Sequence, residues 1–348
     1  MVKGTPRVAV CGMGSIGRSV SRLLLDERTG FDFVGAATLE QDLIGSNVGE
    51  EVGSKTACSA TILGSLEGLL TLRPDVIIYA TGSFLPNVDE DIRRIIDAGV
   101  NVISPCEELA FPFKRDSQWS KEIDELAKAA NVTVLGTGVN PGFIFDSLVL
   151  AASGSSWDVE AIRGRRVVNV SGFGENIHLR LGIGYTPQEF DQGHEDGKIA
   201  GHVGFPESIE IIAERLGISL DGDVAEEFTT MIAETPAPTK YGSVPAGKTE
   251  GFVQRATGYV DGKAFIQFEL ILHLRPEHAG LKPADSFEIR GTHPVNVTIE
   301  PGMDAIPATA AQLVNSIPGV LIARSGIVTI KDIPVATAWL DLSKAMLR

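Results

Sequence analysis

Residues 7–18 read Arg7-Val8-Ala9-Val10-Cys11-Gly12-Met13-Gly14-Ser15-Ile16-Gly17-Arg18, an apolar strand that runs directly into the pattern G-x-G-x-x-G. Residues 19–25 then show the apolar spacing of a helix. A glycine pattern between a strand and a helix is typical of a dinucleotide-binding turn. An ordinary tight turn between strand and helix is the alternative interpretation.

Each glycine of this pattern has a physical role in a dinucleotide site. Gly12 permits the tight turn, Gly14 lets the backbone approach a pyrophosphate, and Gly17 lets the helix pack closely on the strand. The N-terminus of the following helix offers free N–H groups and the positive end of its dipole to phosphate, so Ser15 and Ile16 are candidate cofactor-binding residues. The pattern therefore predicts dinucleotide binding.

Composition excludes several classes of partner. The 348 residues are 43% hydrophobic and 22% charged, with a formal net charge of −15. An acidic surface repels nucleic acid and anionic membranes, so we expect neither as a partner. No apolar run approaches the roughly 20 residues of a membrane span, and the N-terminus shows no signal-peptide pattern. Three widely spaced cysteines predict free thiols and a cytoplasmic protein.

The first 147 residues alternate strand and helix patterns with short connections. Continuous apolar strands indicate burial on both faces, and hence a parallel sheet covered by helices. The predicted strands beyond the first are 31–37, 75–80, 100–104 and 132–135, and the predicted helices are 88–98 and 119–130.

From about residue 157 the pattern changes to longer strands with partial alternation. We predict strands at 162–171, 251–260 and 263–273, with a helix at 207–216. Asp261-Gly262 predicts a hairpin turn between the last two strands. Helical spacing returns in the tail, at 308–315 and 339–346.

The predicted fold class is α/β. An N-terminal, Rossmann-type, doubly wound parallel sheet (residues 1–147) binds the dinucleotide. An α+β domain with an open, mainly antiparallel sheet (148–300) serves substrate binding and dimerisation, and the segment 301–348 returns to the first domain.

The end of the second strand bears on the choice of nicotinamide cofactor. An acidic residue about 20 positions beyond the glycines favours the 2′-hydroxyl of NAD. Thr38 stands there instead, with Glu40 two residues further on. Thr38 removes repulsion of a 2′-phosphate and Arg18 could pair with one, whereas Glu40 opposes this and Arg18 could simply lie on the helix surface. We expect NADP with tolerance of NAD.

Three further strand ends fall at the edge where ligands gather in doubly wound sheets. Thr81 and Gly82 follow one strand and are expected to border the nicotinamide ribose. Glu107 and Glu108 follow the next; one carboxylate should face the crevice, where it could exchange protons with an amine or hydroxyl. Alternatively, both are acids at a helix N-terminus that interact with its dipole.

The third strand end is the rigid, glycine-rich turn 136–142, in which Asn140 could bond the nicotinamide amide or orient a water. A nucleophilic Cys106 is a weaker hypothesis, since buried filler thiols are commoner. His194 and His202 lack the spacing of a helical zinc pair, so we predict no metal.

These residues resemble a known family. Gly136-Thr137-Gly138-Val139-Asn140-Pro141-Gly142-Phe143, Cys106-Glu107-Glu108-Leu109 and Gly201-His202-Val203-Gly204-Phe205-Pro206-Glu207-Ser208 resemble the 2,4-diaminopentanoate dehydrogenases and native NAD(P)-dependent amine dehydrogenases, within the dihydrodipicolinate reductase-like fold. The tail 308–318 resembles the returning segment of that fold. The likeness covers essentially the whole chain.

The resemblance implies oxidative deamination of an amine or, in reverse, reductive amination of a carbonyl compound with ammonia. Glu108 matches the catalytic glutamate, which would deprotonate ammonium or the carbinolamine and stabilise the cationic imine. The resemblance also places Phe145, Arg166 and Phe173 in the substrate pocket, with Glu107 and Pro141 beside them. Because two phenylalanines make a pocket costly for a polar diamino acid, we expect small aliphatic aldehydes, ketones and amines as substrates.

Three alternatives remain open on the sequence. The enzyme could act on 2,4-diaminopentanoate, or it could reduce preformed imines as dihydrodipicolinate reductase does, although Arg163, Arg165 and Arg166 lack a matching lysine–histidine cluster. A nucleotide-sensing subunit without activity is the third. An exposed antiparallel sheet commonly pairs with a second copy, so we expect a homodimer.

Overall fold

The computed structural model describes residues 4–199 and 201–346. The first three residues, part of the N-terminal segment in which we expect no signal peptide, lie outside this range. The chain forms two compact units. The first runs to Ser147 and resumes at Asp304, and the second comprises Leu148–Met303.

The first unit contains a seven-stranded sheet in the order β3-β2-β1-β4-β5-β6-β15, in which every neighbouring pair is parallel. Its strands are β1 (Arg7–Cys11), β2 (Asp32–Ala37), β3 (Ile62–Leu63), β4 (Val76–Tyr79), β5 (Asn101–Ser104), β6 (Thr133–Gly136) and β15 (Gly326–Val328). The four strands predicted beyond β1 are confirmed to within two residues at each end.

Helices cover both faces of this sheet. They are α1 (Ser15–Glu27), α2 (Val48–Glu51), α3 (Leu66–Thr71), α4 (Leu85–Asp97), α5 (Pro112–Arg115), α6 (Ser117–Ala130), α11 (Ala305–Asn315), α12 (Ile317–Ile322) and α13 (Leu342–Ala345), with α7 (Ser147–Ser153) at the junction. Val8 and Val10 of β1 join the core beneath α1 and α11, whereas Ala9 joins the core beneath α4 and α6. Burial on both faces explains why the strands read as continuous apolar runs.

The tail differs from the sequence prediction at one place. The helix predicted at 339–346 is only one turn, α13, because the residues before it pair with the chain around Thr29. Leu340 O accepts hydrogen bonds from Thr29, and the indole of Trp339 donates to Val314 O at 3.0 Å. These contacts hold the backbone extended up to Asp341.

A second correction concerns apolar runs. The 18 residues Ala305–Ile322 have the length and composition of a short membrane span, contrary to the expectation that no run approaches one. They form the two helices α11 and α12, and Leu313, Val314 and Ile317 within them are fully buried in the core. Their place in the core accounts for the apolar composition.

The second unit is built on a six-stranded sheet in the order β14-β13-β7-β12-β11-β8, in which only β7 and β12 pair in parallel. Its strands are β7 (Ala161–Asn169), β8 (Ala225–Ile232), β11 (Thr249–Val260), β12 (Lys263–His273), β13 (Ala284–Arg290) and β14 (Val295–Ile299), with a separate pair β9 (Ala237–Thr239) and β10 (Gly242–Val244). Its helices are α8 (Glu175–Arg180), α9 (Pro187–Glu195) and α10 (Phe205–Leu216).

This sheet confirms the predicted mainly antiparallel α+β architecture. Asp261 and Gly262 both have positive φ, at 50° and 72°, as the predicted two-residue hairpin turn requires. Helix α10 packs on β11 and β12, and a Cβ at Gly258 would approach Ile209 of this helix to 2.8 Å.

Candidate active site

The carboxyl ends of β1, β4, β5 and β6 meet at one edge of the parallel sheet. Strands β2 and β3 lie on one side of β1, whereas β4, β5 and β6 lie on the other. The boundary between β1 and β4 is therefore a topological switch point, where doubly wound folds bind their ligands. Backbone bonds tie the loops together here: Ala80 N donates to Cys11 O at 2.7 Å, and Thr137 N donates to Ser104 O at 2.9 Å. The ends of these four strands, which the sequence singled out, therefore lie side by side at this edge, where we place the predicted crevice.

The glycine loop fits a pyrophosphate. Gly14 is the N-cap of α1, and within the described residues no side chain caps this helix and no acid occupies its first turn. A Cβ at Gly14 would meet nothing within 4 Å, so the backbone and the N–H groups of Ser15 and Ile16 are open to a ligand. This cradle is what a dinucleotide phosphate needs.

Gly12 and Gly17 serve the fold instead. Gly12 has a φ of 97°, and a Cβ there would lie 2.3 Å from Ala80 O. A Cβ at Gly17 would lie 1.7 Å from Gly12 O. Both distances are far below van der Waals contact, so only glycine allows the turn and the close helix.

The ribose end of the site differs from the sequence expectation. Thr38 is buried, and its hydroxyl accepts a hydrogen bond from Glu40 N at 3.2 Å. Arg18, expected to pair with a 2′-phosphate, forms an ion pair with Glu51 of α2 and donates to Met13 O at 3.0 Å. The sequence does not predict that Glu51 pairs with Arg18, because their contact depends on how the chain folds from β2 into α2.

The loop after β4 rests on a buried tyrosine. Tyr79 donates from its hydroxyl to Asp91 at 2.6 Å, and burial together with this carboxylate raises the pKa of Tyr79. Thr81 is exposed, while Gly82 lies against Val88 of α4. The loop that carries Thr81 and Gly82 therefore follows a strand end that the buried Tyr79 and its hydrogen bond to Asp91 hold in place.

Glu108 lies in a 3₁₀ helix (Glu107–Ala110) directly after β5, and only 8% of the residue is exposed. Its Oε2 accepts a hydrogen bond from Leu85 N, the first residue of α4, at 2.7 Å. Its Oε1 is 3.5 Å from Arg115 Nε. The carboxylate is therefore held at the N-terminus of α4, so the dipole interpretation holds for Glu108. A carboxylate fixed in this way is also pre-placed for proton exchange at the crevice.

Glu107, half-buried, begins the same turn. Cys106 beside it is fully buried, and burial raises the pKa of its thiol to about 12. A buried, protonated thiol is a poor nucleophile, so both observations argue against the weaker hypothesis of a catalytic Cys106.

The turn after β6 positions Asn140 and packs against the Glu108 segment. A Cβ at Gly136 would lie 2.3 Å from the carbonyl carbon of Leu109, so glycine allows the two loops to touch. Asn140 Oδ1 is buried and, within the described part of the chain, has no hydrogen-bond partner. An unpaired buried acceptor suits the amide donor of a nicotinamide.

Thr309 of α11 joins this turn although the sequence analysis did not select it. Its hydroxyl accepts a hydrogen bond from Val139 N at 3.2 Å and lies 3.6 Å from the position of a Cβ at Gly138. Residue 309 follows residue 139 by 170 positions, so only the return of the tail reveals it.

The proposed pocket residues divide between the units. Pro141 and Phe145 are buried in the first unit, and Phe173 is half-buried in the loop after β7 of the second. Arg166 is also in the second unit, where its side chain is 4% exposed. Its Nε lies 3.3 Å from Asp285, and its Nη2 donates to Met303 O at 2.5 Å.

His202 is a further residue that the sequence marked only as part of a motif. Its Nε2 is buried and has no hydrogen-bond partner among residues 4–199 and 201–346, while its backbone bonds the amide of Gln254. Burial, with Arg166 as a lesser cause, lowers the pKa of His202 to about 3. The same ranges contain no group of three or more His, Cys, Asp or Glu suited to a metal.

A parallel sheet with an open glycine cradle at its switch point is the architecture of dinucleotide-binding proteins. A model of the 2,4-diaminopentanoate dehydrogenase C-terminal domain matches residues 143–348. The chain is 34% identical to 2,4-diaminopentanoate dehydrogenase of Acetoanaerobium sticklandii, covering 95% of this chain and 94% of that protein. The chain belongs to the 2,4-diaminopentanoate dehydrogenase family.

Two amine dehydrogenases extend the comparison. The chain is 25% identical to an amine dehydrogenase of Streptomyces virginiae, covering 94% and 96% of the two chains. The structure of amine dehydrogenase from Mycobacterium smegmatis superposes with a TM-score of 0.83 at 23% identity, over 97% of this chain and 98% of that one. The protein is thus an oxidoreductase of the class that acts on amino groups, with the fold of these enzymes.

Proposed function

We propose that the protein is an NAD(P)H-dependent amine dehydrogenase, which aminates small aliphatic aldehydes and ketones with ammonia and deaminates the amines in reverse. The observation that carries this proposal is the Glu108 carboxylate, which is anchored by Leu85 N at the crevice of a dinucleotide-binding sheet. Family membership supports the reaction class, and the open cradle at Gly14 supports the cofactor.

When bound at the glycine cradle, the reduced nicotinamide cofactor would supply a hydride to a carbon that bears nitrogen and positive charge. Glu108 takes a proton from ammonium, so that ammonia can attack the carbonyl carbon. Glu108 then returns this proton to the hydroxyl of the carbinolamine, which leaves as water and gives the iminium ion. Its negative charge then stabilises the iminium carbon that accepts the hydride. Because Leu85 N and Arg115 fix both carboxylate oxygens, this charge does not need to reorient as the reaction proceeds.

The charge balance around Arg166 favours an apolar substrate. Arg166 would be the natural partner for a substrate carboxylate, but Asp285 already compensates its charge at 3.3 Å. Phe173, which the family resemblance places in the pocket, is a half-buried aromatic side chain that offers apolar surface. A 2,4-diaminopentanoate carboxylate would lose hydration without gaining an uncompensated cation, which is costly. That diamino acid is the alternative substrate.

The test is the steady-state rate of reduced-cofactor oxidation with a panel of aliphatic aldehydes and ketones, with and without ammonium. We expect turnover that requires ammonium, and weaker oxidation of 2,4-diaminopentanoate than of simple amines. Turnover without ammonium would instead support an imine reductase. Activity on 2,4-diaminopentanoate alone would contradict the proposed substrate class, and cofactor binding without any turnover would support a sensing subunit.

We also propose a homodimer, in which the open face of the second sheet contacts a second copy. Across four adjacent strands this face presents Glu227, Arg255, Glu269 and Arg165 in direct register. The charges alternate in sign, so a two-fold axis along the strands places each residue against an opposite charge. The row is therefore self-complementary.

Light scattering tests the dimer. Arg255→Glu should dissociate it, and Arg255→Glu combined with Glu269→Arg should restore it because each charge of the row again faces an opposite charge on the second copy. A monomer at all working concentrations of the unmodified protein would contradict the proposal.

A further inference from the structure

The segment after β2, which we expect to lie beside the cofactor ribose, is strongly acidic. Between the end of β2 and the end of α2 lie four carboxylates, Glu40, Asp42, Glu50 and Glu51. Residues 29–54 contain no lysine, arginine or histidine. Any cation that a 2′-phosphate could use must therefore come from another part of the chain.

Arg18 is the cation that this segment contacts, and Glu51 already holds it. The guanidinium pairs with the Glu51 carboxylate and donates to the Glu51 backbone oxygen at 3.2 Å. Its Nε donates to Met13 O in the glycine loop at 3.0 Å. The contacts span the glycine loop and α2, and the Glu51 side chain is only 25% exposed.

The position of Glu51 is fixed by the fold of α2. Asn47 caps this helix by accepting from Glu50 N at 3.1 Å, and it donates to Cys58 O at 2.6 Å. Because these two hydrogen bonds of Asn47 fix the start of the helix, they also fix the position of Glu51 beside Arg18.

We infer that Glu51, by neutralising Arg18, makes the ribose end of the site reject a 2′-phosphate and so selects NAD(H) over NADP(H). This rests on the proposed nicotinamide-dependent function. A 2′-phosphate brings nearly two negative charges beside Arg18 and must displace Glu51 to pair with it. The ribose 2′-hydroxyl of NAD brings no charge and leaves the ion pair intact. Glu51 is thus a specificity-determining residue that acts through Arg18, and the expectation of NADP from Arg18 and Thr38 is reversed.

Calorimetric binding of NAD⁺ and NADP⁺ to the full-length protein tests this inference without relying on turnover. We expect the unmodified protein to bind NAD⁺ at least about tenfold more tightly. Glu51→Gln should narrow that gap by about tenfold, equivalent to about 1.4 kcal/mol. Glu51→Asp, which keeps the charge, should retain most of the NAD preference.

Two further variants separate this mechanism from a general change of charge. Arg18→Gln combined with Glu51→Gln should lose the gain in NADP⁺ affinity, because the released cation is absent. Glu67→Gln removes a carboxylate from the ion pair with Arg94 elsewhere in the same unit and should leave the ratio unchanged.

The outcomes distinguish this inference from the proposed function. If both nucleotides bind the unmodified protein equally, or if Glu51→Gln leaves the ratio within about twofold, the inference fails and the function stands. If neither nucleotide binds, the proposed function fails and the inference fails with it. A narrowed gap that also appears in Glu67→Gln would likewise overturn the role of Glu51.

Discussion

Replacing Glu108 by glutamine removes one negative charge from the crevice while keeping the shape of the side chain. The amide oxygen can still accept from Leu85 N, which now lies 2.7 Å from the carboxylate. The amide cannot take a proton from ammonium or stabilise a neighbouring cation. We therefore expect Glu108→Gln to fold and to bind the cofactor, but to turn over slowly.

The expected magnitudes separate catalysis from stability. Loss of general acid–base catalysis typically reduces rates about 10²- to 10⁴-fold, which corresponds to about 3–5 kcal/mol. Changing a charge-assisted hydrogen bond to a neutral one costs about 1 kcal/mol. The ion pair with Arg115, whose side chain is 40% exposed, contributes at most about 1 kcal/mol. The loss of stability, about 1–2 kcal/mol, is small against the total of about 5–15 kcal/mol for a folded protein.

The assay combines steady-state oxidation of the reduced cofactor, in saturating ammonium and aldehyde, with thermal unfolding and cofactor titration. Two control variants bracket the effect. Arg115→Gln removes the ion pair but leaves the carboxylate, and Glu122→Gln removes an ion-paired carboxylate of α6 that lies 3.0 Å from Arg93. Both should keep turnover within about tenfold of the unmodified protein, well below the loss expected for an acid–base residue. Turnover of Glu108→Gln close to that of these controls would refute the reasoning.

Three further predictions follow from local environments. Gly14→Ala should leave the melting temperature unchanged but weaken cofactor binding about tenfold or more, whereas Gly12→Ala should lower the melting temperature. Equal changes of melting temperature and of cofactor affinity in the two variants would contradict this prediction. A thiol reagent at neutral pH should modify Cys58 but not Cys106, whose pKa is about 12, as mass spectrometry of the intact protein would show. As the pH falls below 6.5, His202 is protonated in the unfolded state but not in the folded state, so the free energy of unfolding decreases. His202→Gln should make this decrease smaller. An unchanged dependence of the unfolding free energy on pH would contradict the prediction.

The parallel sheet could be predicted from the sequence because its strands are buried on both faces. Val8, Ala9 and Val10 alternate between two cores, yet all are apolar, so the pattern is continuous and its meaning is clear. The single turn α13 was over-predicted because apolar spacing at 339–346 reflects anchoring of Trp339 in the core. Periodicity cannot separate these two causes.

The residues that follow parallel strands could also be grouped from the sequence, since the carboxyl ends of these strands share one edge. Glu51 and Thr309 could not, because each reaches the site from an element whose packing no local pattern encodes. Arg18 shows the same limit of prediction from sequence, because its ion-pair partner is not evident from the local pattern. Its position in the chain indicated a phosphate ligand, but its charge is balanced by a residue 33 positions away.

The glycine motif shows how a sequence pattern combines two different requirements. Gly12 and Gly17 are required because a Cβ would overlap the backbone, so their loss should damage any chain with this turn, whether or not it binds a nucleotide. Gly14 has no such conflict, so the fold itself tolerates a side chain there and only a bound ligand would require glycine. A relative that keeps Gly12 and Gly17 but carries a larger residue in place of Gly14 should therefore retain the sheet and lose the phosphate cradle.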